Sequence, residues 1–101
     1  MTEQFYTHAL WRVKPGQQEV FVEAWKALGQ IFAKLPGSGK GTLIQSISDD
    51  TLFYSFGPWS SLESIEGMRR DADARKGIQR LEELCDEAAP GTYRVVGQVS
   101  P

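Results

Sequence analysis

Few side chains in this sequence could take a direct part in chemistry. His8 is the only histidine, and an imidazole titrates near neutral pH, so it is the candidate general base. Its plainer reading is a ring that fills space on a sheet face. Tyr54 could donate a hydrogen bond to a developing oxyanion, although a strand tyrosine more often packs with its hydroxyl at the edge. Trp11, Trp25 and Trp59 are core or interface residues by default and pocket walls otherwise. Trp59 is the best pocket candidate, because it follows Pro58 at the end of an apolar run. Met68 reads as core filler. Arg69 and Arg70 read as a solvated pair, with anion contact as the minority alternative. Cys85 lies on an apolar stripe with no basic partner nearby, which predicts a buried, inert thiol. One histidine and one cysteine make no metal site without several carboxylates, and none is evident.

The segment Pro36-Gly37-Ser38-Gly39-Lys40-Gly41-Thr42 invites comparison with a phosphate-binding loop. That motif requires a glycine five residues before the Gly-Lys pair, and Lys34 stands there. It also requires a strand before the loop and a helix after it, so that backbone N–H groups converge on phosphate. Here a helix precedes and a strand follows. The segment is read as a glycine-rich turn, and nucleotide binding is not expected.

These residues must be positioned by a chain of 101 residues, the size of one domain. Five phenylalanines, three tyrosines and three tryptophans are a heavy aromatic load for that size, which suggests a pocket, an interface or both. The net charge of −2 is spread over interspersed acids and bases, so there is no basic stripe for nucleic acid and no polybasic membrane signal. No apolar run is long enough to span a bilayer. The opening MTEQFYTH lacks a secretory layout, and a cytoplasmic location is expected.

Residues 5–13 alternate as a strand, with Phe5, Thr7, Ala9, Trp11 and Val13 on one face and Tyr6, His8, Leu10 and Arg12 on the other. From Gln17 to Leu35, Phe21, Trp25, Leu28, Ile31 and Phe32 recur at helical spacing. Thr42 to Ile47 is a second strand, joined through Asp49-Asp50 to a third in a hairpin. Aromatic enrichment marks that third strand, which should end in Gly57-Pro58-Trp59 because proline cannot donate to a ladder. Ser60 and Glu63 suggest a capping box for the next helix. A break is expected near Arg70, with Asp71 or Asp73 capping a new turn. Ala74, Ile78, Leu81, Leu84, Cys85 and Ala88 then form a second stripe that Pro90-Gly91 stops. Thr92 to Val99 is the expected last strand.

The order β-α-β-β-α-β predicts an α+β, ferredoxin-like domain, a four-stranded antiparallel sheet with its helices on one face. The other face carries large side chains, and its simplest cover is a second subunit.

The first strand running through Val13-Lys14-Pro15-Gly16 into Gln17-Gln18-Glu19-Val20-Phe21 resembles the antibiotic biosynthesis monooxygenase family. So do Pro36-Gly37 before the second strand and Tyr54-Ser55-Phe56-Gly57-Pro58-Trp59-Ser60-Ser61 before the next helix. The resemblance spans nearly the whole chain. It implies a dimeric α/β barrel and, for some members, oxygenation of aromatic phenols without a cofactor in an apolar pocket. Other members degrade haem with an asparagine, a tryptophan and a histidine. The corresponding positions here are close to Ala9, Met68 and Ile78, so haem degradation is not expected.

The resulting expectation is a homodimer that binds a small apolar or aromatic ligand with neither metal nor cofactor. His8 and Tyr54 are its catalytic candidates, and Trp11, Trp59, Met68 and Ile78 its substrate-binding candidates. A binding or structural dimer without turnover, or a lyase or isomerase on the same scaffold, are the alternatives.

Overall fold

The computed structural model describes residues 3–101. Met1 and Thr2, which begin the stretch read above for a secretory layout, lie outside the described residues. The expected alternation along the first strand is realised as β1 (Phe5–Val13). Helix α1 (Gln18–Ala33) follows, then β2 (Thr42–Gln45), β3 (Leu52–Trp59), α2 (Leu62–Arg70), α3 (Ala72–Glu83) and β4 (Cys85–Arg94). The sheet order is β2-β3-β1-β4, and every pairing is antiparallel. The fold is the α+β, ferredoxin-like arrangement, with β1 and β3 central.

The odd-numbered residues of β1 meet the helices. Ala9, Trp11 and Val13 are buried there with Phe21 and Leu28 of α1, Phe53 of β3 and Leu81 of α3. The rings of Phe21 and Phe53 lie 5.2 Å apart and those of Trp11 and Phe21 5.7 Å apart. Burying each such side chain contributes about 1.5–3 kcal/mol. A second cluster joins Trp59, Ile65, Met68 and Ala74. Gly77 sits where α3 crosses α1, and a Cβ there would meet Leu28 Cδ1 at 2.7 Å, so a larger residue would oblige the Leu28 side chain to shift.

The break between the two later helices falls as expected. Asp71 closes α2 and opens α3, its carboxylate accepting from the Ala74 N–H at 2.9 Å. The capping box of α2 is shifted by one residue from the expected pair. Ser61 is the N-cap and exchanges hydrogen bonds with Ser64. Gly37 has φ +84°, a left-handed conformation that suits glycine. Its carbonyl accepts from Ser60 N–H at 2.8 Å, tying the end of α1 to the start of α2.

β3 ends at Trp59, as expected, with Pro58 still opposite Tyr6. One expectation about the strands needs correction. Helix α3 does not continue through Cys85 and Ala88 to Pro90. It stops at Glu83, and Cys85 to Arg94 forms β4 along β1. Proline is tolerated in an edge strand because its missing N–H need not face a partner. Val96 and Val99, expected in that strand, lie beyond it and are exposed.

Candidate active site between sheet and helices

The pleat decides what each candidate residue can touch. On β1 and β3 the register pairs His8 with Phe56, Leu10 with Tyr54, and Ala9 with Ser55. Thr7, Ala9, Trp11, Phe53, Ser55 and Trp59 therefore point to the helices. Tyr6, His8, Leu10, Tyr54 and Phe56 point to the opposite, helix-free face.

Two adjoining cavities lie on the helix side. The smaller, about 240 Å³, is walled by Trp11, Trp25, Leu28, Phe32, Met68 and Ile78, with Arg69 and Pro90 also on its lining. The larger, about 480 Å³, lies beside Trp59 and Phe32 and is bordered by the glycine-rich segment Ser38 to Gly41. Thr7, Trp25, Leu28, Phe32 and Ser55 line both. The walls are apolar and aromatic with a small number of polar groups, the usual composition of a small-molecule site.

Those polar groups are organised. Trp11 Nε1 donates to Ser55 Oγ at 2.9 Å, and Trp59 Nε1 donates to Thr7 Oγ1 at 3.1 Å. An indole N–H can only donate, so both hydroxyl oxygens are acceptors in these pairs. Arg69 donates to Thr92 Oγ1 at 2.7 Å, which holds the cation beside the smaller cavity. Arg70 turns away to Glu66, 3.7 Å distant.

On the helix-free face, the His8 ring lies 5.5 Å from Tyr54, tilted, and 5.5 Å from Tyr93, edge-on. An open groove of about 330 Å³ runs past Tyr6, His8, Phe56 and Tyr93. At one end of β1, Arg12 forms a 2.8 Å ion pair with Asp49. The Thr51 hydroxyl, and then Arg12, donate to the Asp49 carboxylate and hold its pKa below the ordinary value. Cys85 is buried, and desolvation pushes its thiol up to about 11, so at neutral pH it is a neutral, unreactive group. Among the described residues no cluster of histidine, cysteine and carboxylates could hold a metal ion.

The model of the antibiotic biosynthesis monooxygenase family matches residues 4–80, which include β1, both cavity-lining tryptophans of the sheet and most of α3. The chain belongs to the antibiotic biosynthesis monooxygenase family. Among solved structures it is similar to SnoaB, a cofactor-independent oxygenase from Streptomyces nogalater, with TM-score 0.84 and 16% identity over 100% of this chain and 99% of that one. It is also similar to a conserved protein from Methanosarcina mazei Go1, with TM-score 0.82 and 19% identity over 91% of this chain and 92% of that one. No curated protein matches it in sequence.

Within this family fold the sequence-derived candidates divide. Trp11, Met68 and Ile78 come together in the smaller cavity, and Trp59 lines the larger. His8 and Tyr54 contact each other on the far side of the sheet. His8 borders the smaller cavity where β1 forms its floor, while its ring packs between the two tyrosines. Trp59 is more committed to the core than its place after Pro58 suggested, being 5% exposed. Sequence reasoning passed over Thr7 and Ser55. Hydroxyl residues are ordinary in strands, and only the partner across the sheet distinguishes these two.

Proposed function

We propose that the chain is a cofactor-independent monooxygenase acting on an aromatic or polyketide-like small molecule bound in the helix-side cavities. The observation that carries this reading is the pair of aromatic-walled cavities sharing the Ser55 and Thr7 hydroxyls, on the scaffold of this family. The likeness to SnoaB, a cofactor-independent oxygenase, supports the reaction class.

A substrate with a methylene flanked by hydroxylated aromatic rings suits such a site. Loss of a proton gives an electron-rich anion whose charge rests largely on oxygen. Hydrogen-bond donors favour that charged form and act strongly where water is excluded. The anion reacts with O2, one oxygen atom becomes the new carbonyl and the other leaves as water. The methylene carbon loses both its hydrogens, which end in that water. All four electrons that reduce O2 come from the substrate. Trp11, Trp59, Met68 and Ile78 act here as walls that orient the rings. His8 and Tyr54, on the other face, serve association. The helix-free face is the surface through which two copies form a homodimer, and the protein works in the cytoplasm.

The second reading is a binding module without turnover. It is favoured by the orientation of His8 and Tyr54, which leaves the helix-side cavities without an imidazole or phenol side chain. Oxygen uptake with 1,8-dihydroxyanthrone in the presence of a chelator separates the two. The monooxygenase consumes one O2 per substrate at a rate saturable and well above uncatalysed autoxidation. Saturable binding without such uptake establishes the module instead.

A further inference from the structure

We infer that the Ser55 and Thr7 hydroxyls form a two-donor clamp for one oxygen acceptor of the ligand, placed where the two cavities meet. The inference rests on the ligand-binding reading above and names the feature of the ligand that the site selects: an aromatic ketone or phenolate oxygen.

The indoles set the direction of both hydrogen bonds. Trp11 and Trp59 can only donate from Nε1, so each forces its hydroxyl partner to accept, at 2.9 and 3.1 Å. A hydroxyl also carries one proton to donate. Among the described residues neither hydroxyl donates to any other group, and both residues line both cavities. Accepting from an indole polarises an O–H and strengthens its own donation. Ser55 is opposite Ala9, and Thr7 opposite Gly57. The two are therefore diagonal neighbours on one sheet face, about 7–8 Å apart across the two strands, a spacing from which two side chains can reach toward one oxygen between them. Alanine at 9 keeps the cavity side between them clear of a large side chain, while Gly57 lies under the backbone of Lys40 and Gly41, where a Cβ would meet Gly41 Cα at 3.2 Å. Each tryptophan thus has two tasks, presenting an aromatic wall and orienting a donor.

The test compares 9-fluorenone with fluorene. The two share a flat tricyclic shape and differ by one carbonyl, an acceptor with no donor. Dissociation constants are measured by quenching of tryptophan fluorescence for the wild type and for Ser55→Ala, Thr7→Val, their combination and Ser55→Thr. The wild type is expected to bind fluorenone about tenfold or more tighter than fluorene, the ratio that two net hydrogen bonds supply. The double variant should abolish that preference, bringing the ratio of the two dissociation constants close to one. Ser55→Thr, which keeps the hydroxyl, should retain the preference. Variants that keep the preference, or that lose both ligands equally, overturn the clamp and leave the cavity reading standing. A wild type that binds neither compound overturns the cavity reading and the clamp together.

Discussion

The two faces of the sheet are built from the same strands, yet they carry opposite kinds of residue. Facing the helices are Ala9, Trp11, Val13, Phe53 and Trp59, all buried within the chain, with two hydroxyls set among them. On the helix-free face are Tyr6, His8, Leu10, Tyr54, Phe56 and Tyr93, aromatic in the main and only partly covered, Tyr93 being 54% exposed. One residue of displacement along β1 moves a side chain from one environment to the other. Thr7 and His8 are neighbours in sequence and separated by the sheet in space. The contrast teaches that residue type alone does not say which face of a sheet a side chain serves. The most reactive ring lies on the face suited to association, and modest hydroxyls occupy the face with the cavities.

The comparison breaks most visibly in stability. Trp59→Ala and Phe53→Ala should each cost about 3–5 kcal/mol, because both side chains are nearly or fully buried. Phe56→Ala, one pleat away on the other face, should cost far less in the isolated subunit. Chemical denaturation at low protein concentration checks this, and equal losses on both faces would erase the distinction.

Association sharpens it next. Phe56→Glu, placed among Tyr6, His8 and Tyr93, should weaken a dimer built on this face by about thirtyfold or more, as loss of a central aromatic anchor does. Sedimentation over a concentration series is the measurement. An unchanged dimer would put the interface elsewhere, and a wild type that is monomeric at micromolar concentration would remove it.

The smallest effect concerns Cys85, at the helix-side end of β4. Its thiol is raised to about 11 in the fold, chiefly by desolvation. The neutral form is thus favoured over the thiolate relative to the unfolded chain. The resulting stability is intact below about pH 9, the ordinary thiol value, and is lost as pH rises through the folded value. Alkylation by iodoacetamide should be slow at pH 8 and fast only after unfolding. Rapid labelling of the native protein would mean an exposed, activated thiol.

Much of the fold was legible because its signals are periodic. The alternation of residues 5–13, the helical spacing from Phe21 to Phe32 and the break near Arg70 all specify local structure that the tertiary contacts then use. The end of α3 was not legible. Leu81, Leu84 and Cys85 continue the helical spacing, and Pro90-Gly91 resembles a stop. The strand from Cys85 is imposed by pairing with β1, an influence from far along the chain that local periodicity does not carry. The site divides in the same way. Trp11 and Trp59 announce a pocket by type, whereas Ser55 and Thr7 acquire meaning only through indoles 44 and 52 residues away in sequence. That the His8 ring lies on the opposite face from Thr7 and Ala9 was implicit in the alternation of β1, but which face the helices cover becomes definite only with the packing.

The central claim is that ligand and partner use opposite faces of one sheet. Two-dimensional NMR of the indole N–H and His8 ring signals tests it in a single series, first titrated with 9-fluorenone and then diluted without it. Fluorenone should shift the Trp11 and Trp59 indole signals saturably and leave His8 nearly still, while dilution should shift His8 and leave those indoles in place. Fluorenone moving His8 while both indoles stay fixed would contradict it.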